Sequence, residues 1–325
     1  MGHVSFFAPI VFCESFNNKG LIMKFILSRK GFDSSYGGMP SPVFPDGTML
    51  SLPIPEIKLE NGQMQEKDTK MAFEDLNLPE DQRKLLQNIR YKHCHLDPDI
   101  RKDLYQTLPD GWKPLFGQCG GAQTHLSSNG VSPGDIFLFF GLFQRVIMKN
   151  GSWRFDGSPF HVIWGYLQID AIVTGADIKK YNWHPHSHYT NENNTLYIGR
   201  EKLSLDETYP GYGTFKLKTG QSPLILTLPN PKKCFSYWDC NKLPWLDTKN
   251  LTANMTGHNP KENAKDERRQ PGFKDKDGCL CRNHTEIAYF QSVSIGQEFV
   301  IAENQTEIIK PWFHQILSDV FRINS

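Results

Sequence analysis

The chain has 325 residues, enough for one large domain or two small ones around a sizeable buried core. Apolar residues make up 38% and aromatics 12%, and with 26 Gly and 21 Pro this argues for short strands and turns and against wholesale disorder. A formal net charge of +1 excludes a global basic field for non-specific duplex binding, so any contact with a polyanion must come from a local patch.

The apolar stretch Val4 to Cys13 has no basic leader and no small-residue cleavage site, and it is too short to cross a bilayer. Lys24 to Leu27 alternates and predicts a short strand. Gly31, Gly37, Gly38, Pro40, Pro42 and the Pro45-Asp46-Gly47 turn forbid a long helix after it. Arg29, Lys30 and Asp33 therefore sit in a stiff turn at a strand end. Arg29 and Lys30 suit a phosphate or carboxylate, and Asp33 suits a base, nucleophile or metal ligand. The alternative is that Asp33, Ser34 and Ser35 only cap the turn.

Leu59 to Lys70 reads as a polar loop. Met71 to Tyr91 is helix-rich, with Phe73, Leu76, Leu85, Leu86 and Ile89 as its apolar positions. His93, His95, Asp97 and Asp99 follow, and Ile100 to Tyr105 forms a helical turn. In His-Leu-Asp-Pro-Asp, Pro98 stiffens the backbone so that Asp97 and Asp99 project similarly; paired carboxylates of this kind also occur as helix caps. Ala122 to Ser127 opens a short helix whose first amides face the Gly117 to Gly121 loop and favour an anion. This is a weak phosphate signal, without the Gly-Lys-Ser/Thr of a P-loop.

Asp135 to Phe143 and Phe160 to Val173 predict two strongly apolar strands joined through an Asn150-Gly151 turn. Gly165 marks a bulge or a close approach. A Gly-Asp before one strand and an inner Gly in the next are similar to the barrel core of the PUA, ASCH and EVE superfamily, whose members bind RNA or modified bases.

His184, His186 and His188 alternate along Tyr181 to Asn194, so on an extended segment two or three share a face and could reach a metal; the alternative is a surface loop with three titrating histidines. Short strands continue at Thr195 to Ile198, Gly213 to Leu217, Leu224 to Leu228 and Ser292 to Ile301. The charged stretch Asn254 to Asp277 reads as a solvated insertion. Glu307 to Phe321 is an amphipathic closing helix.

The seven cysteines, odd in number and without an export signal, argue for a reducing cytoplasm. Cys234, Cys240, Cys279 and Cys281, with His258 and His284 nearby, have the chemistry of a structural zinc clasp at spacings that are not those of ordinary zinc knuckles; free thiols are the alternative. The fold class is α+β: mostly short antiparallel strands in a sheet or partly open barrel, PUA-like in one reading, with a few packed helices.

Taken together, MKFILSRKGFDSSYGGMPSPVFPDGTMLSLPIPE (Met23 to Glu56), HLDPDIR (His95 to Arg101), FGQCGGAQTHL (Phe116 to Leu126), GDIFLFFG (Gly134 to Gly141), HVIWGYLQI (His161 to Ile169), HPH (His184 to His186), NNTLY (Asn193 to Tyr197) and GQEFV (Gly296 to Val300) resemble the nucleotide modification associated domain 3 family. That resemblance implies one domain over residues 23–325, with a polar insertion at about 240–284, and makes residues 1–22 an over-extended gene start or a disordered or edge-strand extension. It implies a cytoplasmic bacterial or phage protein of a modified-base pathway, with DNA or a nucleotide as substrate, other pathway enzymes as partners and no membrane.

The candidate catalytic residues are Asp33, His95 and Asp97. Arg29, Lys30, Gln118, His125 and Asn194 are the candidates for substrate or phosphate binding. A divalent metal, if used, has His95, Asp97, Asp99, His184 and His186 as candidate ligands. Without a metal, Asp33 or His95 is the general base, and Arg29 with Lys30 holds a phosphate. His161 is read as a structural histidine. Trp153, Trp164 and Trp183 are candidates to stack on a flipped base.

No dinucleotide fingerprint, iron–sulfur cysteine run or methyltransferase-type glycine loop is present, so NAD, flavin and clusters are not expected. The alternatives to a base-modifying enzyme are a non-catalytic reader of modified bases and a modification-dependent nuclease.

Overall fold

The computed structural model describes residues 23–32, 37–55, 57–60, 63–66, 71–87, 89–217, 222–229, 234–249, 251–257, 272–281, 286–292 and 298–321. Nine strands build the main sheet: β1 (Phe25–Arg29), β2 (Ser41–Val43), β3 (Leu115–Gln118), β4 (Ile136–Lys149), β5 (Ser152–Thr174), β6 (Thr195–Gly199), β7 (Tyr212–Thr214), β8 (Met255–Gly257) and β9 (Glu298–Ile301). Their order is β8-β9-β1-β4-β5-β6-β3, with β2 also on β4 and β7 also on β5. Only β4's pairings with β1 and β2 are parallel. The result is a curled half-barrel of mostly antiparallel strands with packed helices, an α+β fold.

The long hairpin β4–β5 organises the sheet. From Ile136 to Phe143 β4 is buried at every position, as a near-continuous apolar run requires when both faces are covered. Asn150 and Gly151 both take positive φ, the geometry of the tight turn that their dipeptide predicts. The two strands run through the segment read as a connection, so Gln144 to Pro159 is itself hairpin. At Gly165 the register slips, and an added Cβ would stand 2.9 Å from Ile100 Cδ1 and 3.0 Å from the Gly213 carbonyl, so the bulge and the close approach coincide.

Helix α1 (Glu80–Leu86) belongs to a smaller cluster around Phe32, Phe44, Leu76 and Val146. Helix α2 (Gly120–Ser128) follows β3. Helix α3 (Thr306–Phe321) closes the main core by setting Phe313 edge-on to Phe25 and Tyr166, each at 5.5 Å. Among the described residues no helix is long and apolar enough to cross a membrane.

Other segments also differ from their sequence reading, and Leu224 to Leu228 forms isolated bridges rather than a strand. Ile57–Glu60 and Gln63–Glu66 pair as a small hairpin where a loop was expected. Pro185–His188 is a 3-10 turn rather than an extended run, and the alternation of its histidines is lost: His184 and His186 are buried while His188 is exposed. The stretch from Asn254 to Asp277 is not wholly solvated, because β8 joins the sheet edge and Phe273 enters the main core. Residues 1–22, 258–271 and His284 lie outside the described residues.

Candidate active site

β1 delivers Lys30 to the interior. Its backbone N–H donates to the Phe140 carbonyl at 2.8 Å, and an added Cβ at Gly141 would meet the Lys30 carbonyl at 2.5 Å, so a glycine is needed for this approach. The buried ammonium lies 3.6 Å from Glu298 Oε1 and 4.4 Å from the centre of the Phe116 ring. Glu298 is fully buried opposite Ser28, because β9 pairs antiparallel with β1. Its Oε1 accepts from Gln118 Nε2 at 2.6 Å and Ser28 Oγ at 3.1 Å, while Oε2 has no hydrogen-bond partner among the described residues. Burial pushes the Glu298 pKa up; Lys30, Ser28 and Gln118 pull against it, and Asp97 adds to the rise. Lys30 thus has a carboxylate partner inside the protein.

A second array meets this one at Gly117 on β3. Its N–H donates to Asp97 Oδ1 at 2.8 Å, and the His186 ring lies where any larger residue would put a Cβ, 2.4 Å from two of the ring carbons. Asn194 Nδ2 donates to the His186 carbonyl at 2.7 Å, which fixes the amide so that its Oδ1 accepts from His186 Nδ1 at 2.7 Å. The proton of neutral His186 is therefore on Nδ1, and the Nε2 lone pair faces Asp97 Oδ2 at 3.8 Å. Burial lowers the His186 pKa, with His95 and Lys30 pushing the same way and Asp97 and Asn194 opposing. His184, whose Nδ1 accepts from the His186 N–H at 3.3 Å, is held well below its usual range by burial, helped by His186 and His95.

Beside these arrays a cleft of about 570 Å³ opens, lined in part by Asp75, His95, Tyr105, Gln106, Asn182 and Trp183. His95 reaches it because Cys94–His95 pairs with Ile54–Pro55. His95 also acts on both His184 and His186, so it belongs to the cleft and to the buried array behind it. Tyr105 donates its hydroxyl to Asp99 Oδ2, and burial raises the Asp99 pKa to about 7.

The profile of the family described as nucleotide modification associated domain 3 matches residues 24–302. The chain belongs to this family. No curated protein and no solved structure matches it. The family's description gives the chain a nucleotide-modification associated role. The matched span contains every residue of both arrays and of the cleft.

Of the sequence candidates, Lys30, His95, Asp97, Gln118, His184, His186 and Asn194 come together. Arg29 is half-buried at the end of β1, near enough to His161 to lower its pKa further. His125 turns to the sheet edge instead, with Nε2 3.3 Å from Thr256 Oγ1. Asp33 lies outside the described residues. Asp97 and Asp99 do not project together, since one faces Gly117 and the other Tyr105.

Among the described residues no three His, Cys, Asp or Glu side chains are grouped to hold a metal ion, which applies both to the His/Asp set and to Cys234, Cys240, Cys279 and Cys281. His161 is buried and accepts from Trp238 Nε1 at 3.1 Å. Trp164 is buried and stacked on Phe139, and Trp153 packs on Phe44 and donates to Asp81, so of the three tryptophans Trp183 lines the cleft. Sequence reasoning passed over Glu298 and Tyr105. An acid inside the apolar run Glu298-Phe299-Val300 was the available signal for the first.

Proposed function

We propose that the chain is an enzyme that makes or alters a modified base in DNA or in its nucleotide precursor, acting in a cytoplasmic modified-base pathway of a bacterium or phage beside other enzymes of that pathway. The observation that carries the reading is His95, a titratable side chain shared by an open cleft and a buried, hydrogen-bonded acid–base array. The cleft's volume falls within the roughly 300–1,000 Å³ usual for small-molecule sites. Trp183 and Tyr105 offer ring faces for a base, and Gln106, Asn182 and Asp75 offer groups for its polar edge.

In this reading His95 exchanges a proton with the substrate. Behind it His186, kept neutral by burial, has Nε2 open to a proton, and Asp97 at 3.8 Å stabilises the imidazolium that would form. Lys30, already paired with Glu298, sets the field of the array rather than gripping a phosphate from outside.

The test is mass spectrometry of deoxynucleosides from the native host or phage, comparing the intact gene with His95→Ala. A non-standard nucleoside that vanishes, or shifts to a precursor mass, is the expected result. An unchanged pool with folded variant protein present overturns catalysis. Loss of binding to modified DNA in Trp183→Ala would then identify a reader instead.

A further inference from the structure

The outer half of the β4–β5 hairpin has two unlike faces. Inward, Val146 is buried, Trp153 packs edge-on against Phe44 at 5.1 Å and donates to Asp81 Oδ2 at 2.9 Å, and Phe155 joins the same apolar cluster. Outward, alternation places Arg145, Ile147 and Lys149 on one strand, opposite Asp156, Arg154 and Ser152 on the other. Three cations stand against one carboxylate on a chain whose net charge is only +1. Lys149 and Arg154 make no ion pair among the described residues. Between them Ile147 is 43% exposed. Ile147, Lys149, Asn150, Arg154 and Asp156 border a shallow depression of about 410 Å³.

A solvated strand needs neither an exposed isoleucine between unpaired cations nor a firm anchor behind it. We propose that this outward face is a docking surface for the backbone of a DNA duplex, the ribbon lying in the groove. The dimensions suit that use. Arg145 and Lys149, four residues apart on β4, are spaced by roughly 13 Å, the ribbon is about 5 Å from strand to strand, and a major groove about 12 Å wide admits a two-stranded ribbon. Charge at the rim meets phosphates, and Ile147 meets thymine methyl groups and sugars. The inference deepens the proposed function, on whose nucleic-acid context it rests, by naming the substrate as polymeric DNA rather than a free nucleotide.

Fluorescence anisotropy of the full chain on a labelled duplex across a salt series tests it, comparing the parent with Lys149→Ala/Arg154→Ala and, as control, Lys276→Ala. The double variant is expected to bind at least tenfold more weakly at low salt, with the slope of log K against log salt reduced by about 1.8 for two lost phosphate contacts; Lys276→Ala should match the parent. Equal affinity and slope for the double variant and the parent overturn the proposal. So does a parent dimer that Ile147→Asp dissociates in sedimentation, which would assign the face to a second copy. Failure here leaves the His95 result untouched, and failure of His95→Ala leaves DNA binding by the hairpin intact, so the two readings fall separately.

Discussion

Two regions of this chain carry side chains of metal-binding type at short spacing, and they end up in opposite conditions. In the first, His95, Asp97, His184 and His186 come from separate connections and are all buried around Gly117, each held by its neighbours. In the second, Cys234 and Cys279 are exposed, and Asp275 spends Oδ1 on the backbone of Asp277 and Cys279, closing a local turn. Spacing along the chain is similar in both. What separates them is whether strands distant in sequence bury the groups together, as β1, β3 and β9 do with Lys30, Gln118 and Glu298. Dry surroundings with fixed partners are what shift a proton equilibrium.

The comparison breaks most easily at Glu298. Truncation by Glu298→Ala leaves Lys30 buried without its carboxylate, and Ser28 and Gln118 without their acceptor. A loss of about 3–5 kcal/mol is expected, measured by urea unfolding; a cost under about 1 kcal/mol would mean that the pair is not dry.

A smaller, pH-dependent effect is expected at Asp99. Its pKa is about 7 in the folded chain against 3.8 as a free carboxyl, so the folded state holds the extra proton. That contribution is full below about pH 4 and is lost as pH rises through 7, at roughly 1.4 kcal/mol per unit. Asp99→Asn keeps an acceptor for the Tyr105 hydroxyl and removes the titration. Its unfolding free energy should be flatter than the parent's from pH 5 to 8, with the variant relatively more stable at the alkaline end. Parallel curves would contradict the burial of Asp99.

Much of the scaffold was legible in local pattern. The apolar run after Gly134, the Asn150-Gly151 turn, the inner Gly165 and the amphipathic end at Glu307 to Phe321 each carry a signal within a few residues, because turn chemistry and periodicity are local causes. The site was legible only in part. His186 and Asn194 lie eight positions apart, but their mutual orientation depends on a 3-10 turn that the alternating histidines disguised. Glu298 is paired with Lys30 through a strand register that spans most of the chain, and no local pattern encodes that register. The shared position of His95, at once in the cleft and against the buried histidines, likewise follows from a two-residue ladder to Ile54 and Pro55.

The smallest expected effect is at the cysteines, and it sharpens the contrast from the other side. A zinc clasp needs thiolates, so an ion would have to displace the thiol protons on binding. Without an ion, burial raises Cys240 and Cys281, with Asp239 adding to the first and Asp275 and Glu286 to the second, so both thiols stay protonated. Replacing the two exposed cysteines, Cys234→Ser/Cys279→Ser, should therefore change stability by no more than about 0.5 kcal/mol. Removal of metal by a chelator should leave the melting temperature of parent and variant alike. A structural zinc would contribute about 10 kcal/mol or more of binding free energy to the folded state, so a clasp that formed would give a large drop in both experiments. Such a drop would require donors beyond the described residues, and the cysteine region would then be a buried, convergent site of the same kind as the one around Gly117.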